Sequence, residues 1–428
     1  MIRQCNDTSR HPSPSRRRRV PWVLILFMVL GVTGCVIFAG CTTPSSDGSS
    51  SQPSRESDYR IVEDMRGIDV KIPAHVERVV TINDGFIEGI LYRLREVDTV
   101  VGMGGECCQK VFDYSFEDIS GESYTYTQGM NPVLYLNPHL KDLPLVTTGA
   151  TGINYETLAK LDPDVVIIRL GAYAFRAGSE ETVDKTIQTI DSLGIPLIIL
   201  KGPPFQDRQD VSNIAQEIRI IGQVYGKEKE AEDLAAYLDS SLTMIRERTK
   251  DVPEEQKPRV MQFGLSPNAR SGGGAGMAWG LDTIESYFIE DLANAKNAYR
   301  GNGAFVIIST EQMLALNPDV IVLPTAQGYH PAREIYTAPY YQNLQELDAV
   351  KNRRVYALPW TPYNWAKRLE YPIEALIIAK AAYPERFSDV KVHEWVLDFY
   401  QKVYGVDLAT AKELRSAQWL DWTVEEDF

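Results

Sequence analysis

Residues 156–168 read Glu-Thr-Leu-Ala-Lys-Leu-Asp-Pro-Asp-Val-Val-Ile-Ile, and residues 311–323 read Glu-Gln-Met-Leu-Ala-Leu-Asn-Pro-Asp-Val-Ile-Val-Leu. In each stretch a polar residue, Asn154 or Ser309, precedes a short helical pattern, and a proline then prevents the helix from continuing. The aliphatic run that follows is typical of a buried parallel strand. Because this unit occurs twice, 155 residues apart, the sequence predicts two similar α/β lobes with one Glu at an equivalent place in each.

The rest of the chain from residue 59 onward continues this alternation of strands and helices. Residues 59–72 are predicted to form a hairpin, and the spacing of later strands predicts right-handed crossovers and mainly parallel sheets. Residues 106–141 are rich in Tyr and lack a clear periodicity, so we interpret them as a surface insertion. Residues 275–295 are predicted to be a helix of the second lobe.

One long helix is predicted to join the lobes. Its apolar residues recur at helical spacing, which predicts a stiff connection that lets the lobes close only slightly. We therefore divide the chain into an N-terminal lobe (59–226), an interlobe helix (227–252) and a C-terminal lobe (253–428). The apolar positions are Ala231, Leu234, Leu238, Leu242 and Ile245.

Residues 1–58 differ from the rest in composition. Four arginines, Arg16–Arg19, precede an apolar run over 20–40, as in an export signal. Small residues stand directly before Cys41, which resembles the lipobox of exported lipoproteins. We interpret 1–41 as a lipoprotein signal peptide and 42–58 as a disordered Ser/Pro-rich tether. The alternative is an uncleaved membrane helix, and both interpretations leave residues 59–428 outside the cytoplasm.

The charge of the exported part restricts its partners. The chain of 428 residues is large enough for two ordinary cores. Once the six arginines and one aspartate of residues 1–41 are removed, 38 basic and 57 acidic residues remain, a net charge of −19. Such a surface disfavours nucleic acid and anionic membranes as partners.

The cysteines of the exported part are one vicinal pair, Cys107 and Cys108, so no disulfide framework holds the fold. The pair is compatible with a strained disulfide, with a site for a soft metal, or with two buried free thiols.

The order of these features resembles the class III periplasmic binding proteins, the substrate-binding components of ABC importers for iron-siderophores, haem and cobalamin. The resemblance covers about residues 59–385. It includes the two Glu-containing units, the hairpin beginning Ile61-Val62-Glu63-Asp64, and the strand Val260-Met261-Gln262-Phe263-Gly264. It implies a monomeric, lipid-anchored protein at the extracytoplasmic membrane face, without enzymatic activity and without a resident cofactor.

The resemblance also implies roles for the two duplicated glutamates. In that family one surface Glu on each lobe docks onto arginines of the permease dimer, whose ATPase drives uptake, and Glu156 and Glu311 occupy the matching places. The alternative is that each Glu only favours the N-terminus of its own helix.

The ligand is expected between the lobes, at the carboxyl ends of the strands. Aromatic and Arg side chains there would suit a large planar or anionic chelate such as a ferric siderophore, haem or a corrinoid. Some of these aromatic side chains could instead pack in the core. The candidate ligand-binding residues are Asn83, Asp84, Tyr173, Phe175, Arg176, Arg270, Ser271, Trp360, Tyr363, Trp365 and Arg368.

Three other functions receive less support from the sequence. The glycine-rich residues 270–276 lack the Gly-Lys-Ser/Thr ending of a phosphate loop and are interpreted as a cleft loop. A bare metal ion would need clustered ligands, whereas the exported part has four scattered histidines. A chelatase or nitrogenase-like reductase would need cluster cysteines or a His and Glu couple at the cleft, and neither is evident.

Overall fold

The structure is a computed structural model that describes residues 59–148, 152–175, 180–206, 209–325 and 328–428. The predicted signal peptide, the tether and Cys41 lie outside the described residues, and so does the candidate ligand-binding residue Arg176. Within the described ranges, no helix is both long and apolar enough to cross a membrane.

The described chain contains strands and helices in alternation. The strands are β1 (Tyr59–Glu63), β2 (Asp69–Pro73), β3 (Val79–Ile82), β4 (Val100–Met103), β5 (Val111–Glu117), β6 (Ser123–Met130), β7 (Val165–Leu170), β8 (Leu197–Lys201), β9 (Arg259–Gly264), β10 (Gly276–Ala278), β11 (Lys296–Asn297), β12 (Val306–Ile308), β13 (Val320–Leu323) and β14 (Val355–Ala357). The helices are α1 (Phe86–Leu94), α2 (Pro132–Leu136), α3 (Tyr155–Lys160), α4 (Glu180–Ser192), α5 (Ile214–Tyr225), α6 (Glu228–Thr249), α7 (Pro267–Ser271), α8 (Ile284–Tyr287), α9 (Thr310–Leu316), α10 (Ala332–Thr337), α11 (Asp348–Lys351), α12 (Tyr371–Ala382), α13 (Val392–Tyr404), α14 (Leu408–Ala417) and α15 (Trp422–Glu425).

The first sheet has four parallel strands in the order β4-β3-β7-β8. Every residue of β3 and β7 is buried, as expected for parallel strands that are covered on both faces. The preceding β1 and β2 pair as the predicted hairpin. The sequence therefore predicted the architecture of this lobe correctly.

The second sheet has the order β12-β10-β9-β13-β14, and β11 also pairs with β9. Strands β9, β11, β13 and β14 are parallel, whereas β10 runs antiparallel to both of its neighbours, β9 and β12. The helix predicted over 275–295 is wrong in its first part, which contains β10, and helical structure is confined to α8 and the π-helical turn Phe288–Leu292 that follows it. Gly276 explains why: β10 lies so close to β9 that a Cβ at this position would be 2.6 Å from the carbonyl oxygen of Gly264.

The duplicated units begin with side-chain caps, as their sequences predicted. The Asn154 side chain accepts a hydrogen bond from the backbone N–H of Thr157, at 2.9 Å. Ser309 and Gln312 form a reciprocal capping box at the start of α9. Each helix is therefore fixed at its N-terminus by local hydrogen bonds.

The aspartate after each proline stabilises the neighbouring strand. A carboxylate oxygen of Asp164 accepts from the backbone N–H of Arg78, just before β3, at 2.9 Å. Asp319 accepts in the same way from the N–H of Arg259, at the start of β9, at 2.7 Å. The side chains of Arg78 and Arg259 in turn donate to carbonyls at the ends of α3 and α9. The spacing that the two units share thus follows from one packing arrangement used twice.

Helix α6 connects the part of the chain that carries the first sheet with the part that carries the second. All five apolar positions predicted for its buried face are buried, and α5 and α12 pack against it. The lobe boundaries at 226/227 and 252/253 stay predictions.

The Tyr-rich stretch within 106–141 is not an unstructured surface insertion. Its strands β5 and β6 form an antiparallel hairpin that reaches the second lobe. Phe116 of this hairpin packs in the core cluster that contains Phe263, and the Ile119 N–H donates to the Thr337 carbonyl at 2.9 Å. The hairpin therefore adds a noncovalent crossing between the lobes to the covalent one through α6.

The C-terminal helices make another crossing. Helix α13 packs on α1, and α14 packs on α2 and β6. The helices that follow the second sheet in the chain therefore contact elements of the first lobe. The Trp419 indole N–H donates to the Thr127 carbonyl of the hairpin at 2.9 Å. These contacts support the predicted restriction of lobe closure.

Candidate functional site

A cavity of about 640 Å³ lies where the loops after β7, β13 and β14 meet the hairpin strand β5. Parallel α/β sheets bind ligands at this carboxyl edge. Eight of the thirteen lining residues are aromatic. The lining consists of Phe112, Asp113, Tyr114, Tyr173, Met277, Phe305, Thr325, Gly328, Tyr329, Trp360, Pro362, Tyr363 and Trp365.

Aromatic rings from both lobes contact each other in the cavity wall. The ring of Tyr173, from the first lobe, lies 4.3 Å from that of Tyr363 and edge-on to Trp365 at 5.5 Å between centroids. Trp365 in turn lies 5.4 Å from Phe305. The cavity thus offers several flat apolar faces that are already held by neighbouring rings.

Three residues that line this region have left-handed backbone conformations. Phe305 has a φ of 58°, Tyr363 a φ of 58° and Lys367 a φ of 57°. Such conformations are costly for residues other than glycine and persist where surrounding contacts enforce them. Their concentration around the cavity is typical of a functional site.

A smaller cavity of about 50 Å³ adjoins the main one and shares Phe305, Thr325 and Trp365 with it. The buried Lys367 ammonium donates to Glu374 at 2.8 Å and lies 3.5 Å from Glu285. Burial opposes the Lys367 charge, but the two carboxylates raise its pKa overall. Burial also raises the pKa of Glu285. We call this smaller cavity the annex.

The hairpin wall is held by a buried network. The Tyr114 hydroxyl donates to Glu334 at 2.6 Å and lies 3.1 Å from Nδ1 of His330. Tyr340 donates to the other Glu334 oxygen at 2.7 Å. Burial, together with the Glu334 charge, raises the pKa of Tyr114, so its hydroxyl stays a donor. The site wall and the second lobe are therefore joined by Tyr114.

The structure brings four of the predicted ligand-binding residues together in the cavity lining: Tyr173, Trp360, Tyr363 and Trp365. Trp360 is largely buried and stacks on Trp419 at 4.9 Å, so it also serves the core, as the sequence left open. Their binding roles stay predictions.

Arg270 and Ser271 are not among the lining residues. The Arg270 guanidinium donates to the Leu265 carbonyl at 2.7 Å and to the Tyr341 hydroxyl at 2.9 Å, and it lies over the Tyr340 ring. Ser271 is exposed and donates to the Asn268 carbonyl. The short helix α7 at this position directs Arg270 toward residues of its own lobe and away from the cleft.

Four further predicted residues are buried beside the cavity without lining it: Asn83, Asp84, Phe175 and Arg368. Asn83 accepts from backbone N–H groups at the start of α1 and donates to Glu88. Arg368 donates to the Pro362 carbonyl at 2.9 Å and to the Asp84 carbonyl at 3.3 Å. Phe175 packs in the core of the first lobe.

Asp84 positions the loop that carries Tyr173. Its carboxylate accepts hydrogen bonds from the backbone N–H groups of Tyr173 and Ala174. Burial raises the pKa of Asp84 to about 6, despite these bonds and the nearby guanidinium groups of Arg368 and Arg169. Asp84 therefore acts on the site through the Tyr173 loop.

Sequence reasoning missed several lining residues for identifiable reasons. Phe112 and Tyr114 alternate with polar residues, which is a strand pattern that the interpretation of 106–141 overlooked. Gln262 lines the annex, and its place inside an otherwise apolar strand was a usable signal. Met277, Phe305 and Tyr329 stand in loops or short strands without any periodic signal.

Glu156 and Glu311 stand in the first turns of α3 and α9, on the two lobes. The Glu156 side chain is 79% exposed, and its oxygen pairs with Lys160 at 2.7 Å. Glu311 is also exposed, and a hydrogen bond with Ser309 lowers its pKa. Both side chains are therefore accessible, as docking requires.

Neither the cysteines nor the histidines form a metal site in the described ranges. Cys107 and Cys108 are buried free thiols with their sulfurs 3.9 Å apart. Across the described residues, no three His, Cys, Asp or Glu side chains are arranged to hold a metal ion.

The comparisons with known proteins agree on one family. Its profile, described as periplasmic binding protein, matches residues 118–361, more than half of the chain. The molybdate-binding protein MolA of Haemophilus influenzae is 25% identical over 368 residues, covering 81% of this chain and 91% of MolA. YvrC of Bacillus subtilis, named as an ABC transporter substrate-binding lipoprotein, is 23% identical, covering 87% of this chain and all of YvrC. A periplasmic solute binding protein from Veillonella parvula superposes with a TM-score of 0.66 at 20% identity, covering 86% of this chain and 100% of that one.

Proposed function

The chain belongs to the periplasmic binding protein family, and from that premise we propose that it is the substrate-binding component of an ABC importer. It captures a metal chelate between its lobes at the extracytoplasmic face of the cell membrane and delivers it to a permease dimer. The permease's ATPase then drives uptake. The protein performs no catalytic step in this cycle.

The observation that carries the proposal is the aromatic cavity between the lobes. A cavity of about 640 Å³ is within the size range of small-molecule sites, and its flat walls suit the organic shell of a chelate better than a bare ion. Bare ions need several convergent ligand groups. The described residues offer no such cluster.

The two exposed glutamates support the docking step. A permease dimer presents two equivalent surfaces, and Glu156 and Glu311 lie at equivalent positions of the duplicated units. Helix α6, the hairpin and the C-terminal helices hold the lobes together, so the separation of the two carboxylates changes little during binding.

Attachment to the membrane is proposed to occur through a lipid on Cys41. YvrC is named as a lipoprotein, and small residues precede Cys41 in this chain. Replacement Cys41→Ser should abolish labelling with a fatty-acid analogue. A natural protein that is found in the membrane fraction but takes up no label would favour an uncleaved helix over residues 20–40.

Docking is tested by the double variant Glu156→Ala with Glu311→Ala. Uptake of the chelate by whole cells should be lost, while the affinity of the purified protein for the chelate stays unchanged. Each single variant should retain part of the uptake, because one of the two contacts remains.

A matched control removes two exposed carboxylates elsewhere, in Glu230→Ala with Glu385→Ala. It has the same net charge as the docking variant and should transport normally. Equal loss of uptake in both double variants would attribute the effect to net charge and contradict the docking assignment.

A further inference from the structure

The charge of the cavity lining is the feature from which we infer the ligand class. Among the described residues, Asp113 is the one acidic residue that lines the main cavity. No Lys or Arg is among these lining residues. Asp113 is exposed at the rim, where its oxygen accepts from the Gln128 N–H at 3.2 Å. An anionic ligand would therefore meet a carboxylate and no cation from the described lining.

The annex does not supply a spare cation either. Lys367 is already bonded to Glu374 and lies close to Glu285, so the one ammonium group there faces two carboxyl groups. Adding an anion beside this cluster would compete with bonds that already neutralise Lys367. Removing a buried charge from its partner is strongly unfavourable.

The basic residues nearest to the cavity are also committed elsewhere. Lys110 interacts with the rim residues Tyr173 and Tyr363, but its ammonium group pairs with Glu106 at 2.8 Å. Arg270 donates to groups outside the lining, and Arg368 donates to the carbonyls of Pro362 and Asp84 without lining the cavity itself. Of the three arginines among the candidate ligand-binding residues, Arg270 and Arg368 do not line the cavity, and Arg176 lies outside the described residues.

Within the described linings of the cavity and the annex, the buried polar side-chain atoms without a hydrogen-bond partner belong to neutral groups. The amide oxygen of the buried Gln262, in the annex, has no hydrogen-bond partner, and neither does the buried indole N–H of Trp360. An unpaired buried acceptor favours a ligand that brings an N–H or O–H donor. A neutral ligand with amide or hydroxyl groups could satisfy both positions.

We propose that this cleft selects an uncharged or cationic chelate with a broad apolar surface, and discriminates against anionic chelates and oxyanions. This inference rests on the proposed function and assigns its ligand class. The faces of aromatic rings carry partial negative charge, so they attract cations and repel anions. Burial of an anion without a counter-charge adds a desolvation penalty.

The expectation differs from that for MolA, whose name states that it binds molybdate. It also differs from the large planar or anionic chelate that the sequence suggested, which stays a prediction. That suggestion depended on arginine walls, and the structure directs Arg270 and Arg368 into other contacts.

A charge series on one scaffold tests the inference. The ferric complex of desferrioxamine B carries one positive charge on its terminal ammonium group. Acetylation of that amine makes the complex neutral, and succinylation gives it one negative charge, without changing the metal centre. Affinities are measured by calorimetry and by tryptophan fluorescence at fixed ionic strength.

From the Coulomb energy of one rim carboxylate in water, the neutral complex should bind about fivefold and the cationic complex about 30-fold more tightly than the anionic one. Asp113→Asn should reduce the difference in affinity between the anionic complex and the other two. Glu117→Gln, which removes a charge from the same strand but outside the lining, should not. Equal or tighter binding of the anionic complex would overturn the proposal.

A second panel separates failure of this inference from failure of the proposed function. It contains cyanocobalamin and aquocobalamin as neutral and cationic chelates, and ferric citrate, haem and molybdate as anions. Binding confined to the two corrinoids, or to the cationic and neutral desferrioxamine complexes of the first series, supports the inference. Binding of the anions alone overturns the ligand class but leaves a chelate-binding or anion-binding transport function. If no member of either panel binds, the proposed chelate-binding function fails, and the inference fails with it.

Discussion

Replacing Tyr114 with Phe tests whether the hairpin is held across the cleft by its buried hydrogen bond. The change removes only the hydroxyl that donates to Glu334 at 2.6 Å and lies 3.1 Å from His330. Glu334 is fully buried, and its other oxygen lies 3.7 Å from the Arg270 guanidinium. The lost bond is therefore one between a hydroxyl and a buried charged group.

A hydrogen bond to a charged group contributes about 1.5–3 kcal/mol. Glu334 keeps His330 and Tyr340 as partners in the variant, so we expect a value near the middle, about 2 kcal/mol. The free energy of opening the hairpin should fall by this amount, which corresponds to about 30-fold faster hydrogen exchange. The ring remains, so its packing against Tyr329 is unchanged.

Hydrogen exchange followed by mass spectrometry measures this directly. Peptides covering 111–130 should exchange faster in Tyr114→Phe, while peptides covering β3 and β7 should not change. Tyr124→Phe is the matched control, because its hydroxyl contacts carboxylates of the same hairpin, on Asp118 and Glu122, and none of the second lobe. Unchanged exchange in Tyr114→Phe, or equal acceleration in both variants, would refute the reasoning and assign the crossing to Phe116 and Ile119.

Three further predictions concern pH, a buried ion pair and the cavity wall. Burial raises the pKa of Asp84 from 3.8 to about 6, so the folded state holds this proton more tightly and the free energy of unfolding should fall by about 3 kcal/mol as the pH rises through this interval. Urea titrations at pH 4.5 and 7, which span part of this interval, should show a decline of about 2 kcal/mol in the natural protein and none in Asp84→Asn. Arg169→Met leaves the buried Glu217 carboxylate without its bidentate partner and should cost about 3–5 kcal/mol, whereas the double variant with Glu217→Leu should cost less, measured by the same titrations. Trp365→Ala should weaken chelate binding about tenfold with little loss of stability, whereas Trp360→Ala should lower the free energy of unfolding by about 3–5 kcal/mol, because Trp360 is buried against Trp419.

The sequence was sufficient to predict the elements that depend on near neighbours in the chain. The cap of α3 joins Asn154 to Thr157, and the capping box of α9 joins Ser309 to Gln312, over three residues in each case. The buried face of α6 follows from its helical period. The family, predicted from the order of these elements, is confirmed.

The candidate site was predicted only in part, because the position of a residue in a cleft loop does not give the direction of its side chain. Tyr173 and Trp365 line the cavity as expected. Arg368 follows a strand in the same way, yet it donates to the carbonyl of Asp84, 284 residues earlier in the chain. Its direction depends on a partner that no local pattern identifies.

The sequence by itself therefore determined the two α/β lobes, the helix between them and the exposed glutamates of the duplicated units, because caps, proline stops and apolar periods act within a few residues. Only the tertiary structure decided that the hairpin carrying Tyr114 reaches Glu334, 220 residues later, and that the cleft contains one rim carboxylate without a facing cation among its described lining. Such long-range pairs form only when the packed lobes bring distant groups together and burial penalises every polar group that lacks a partner.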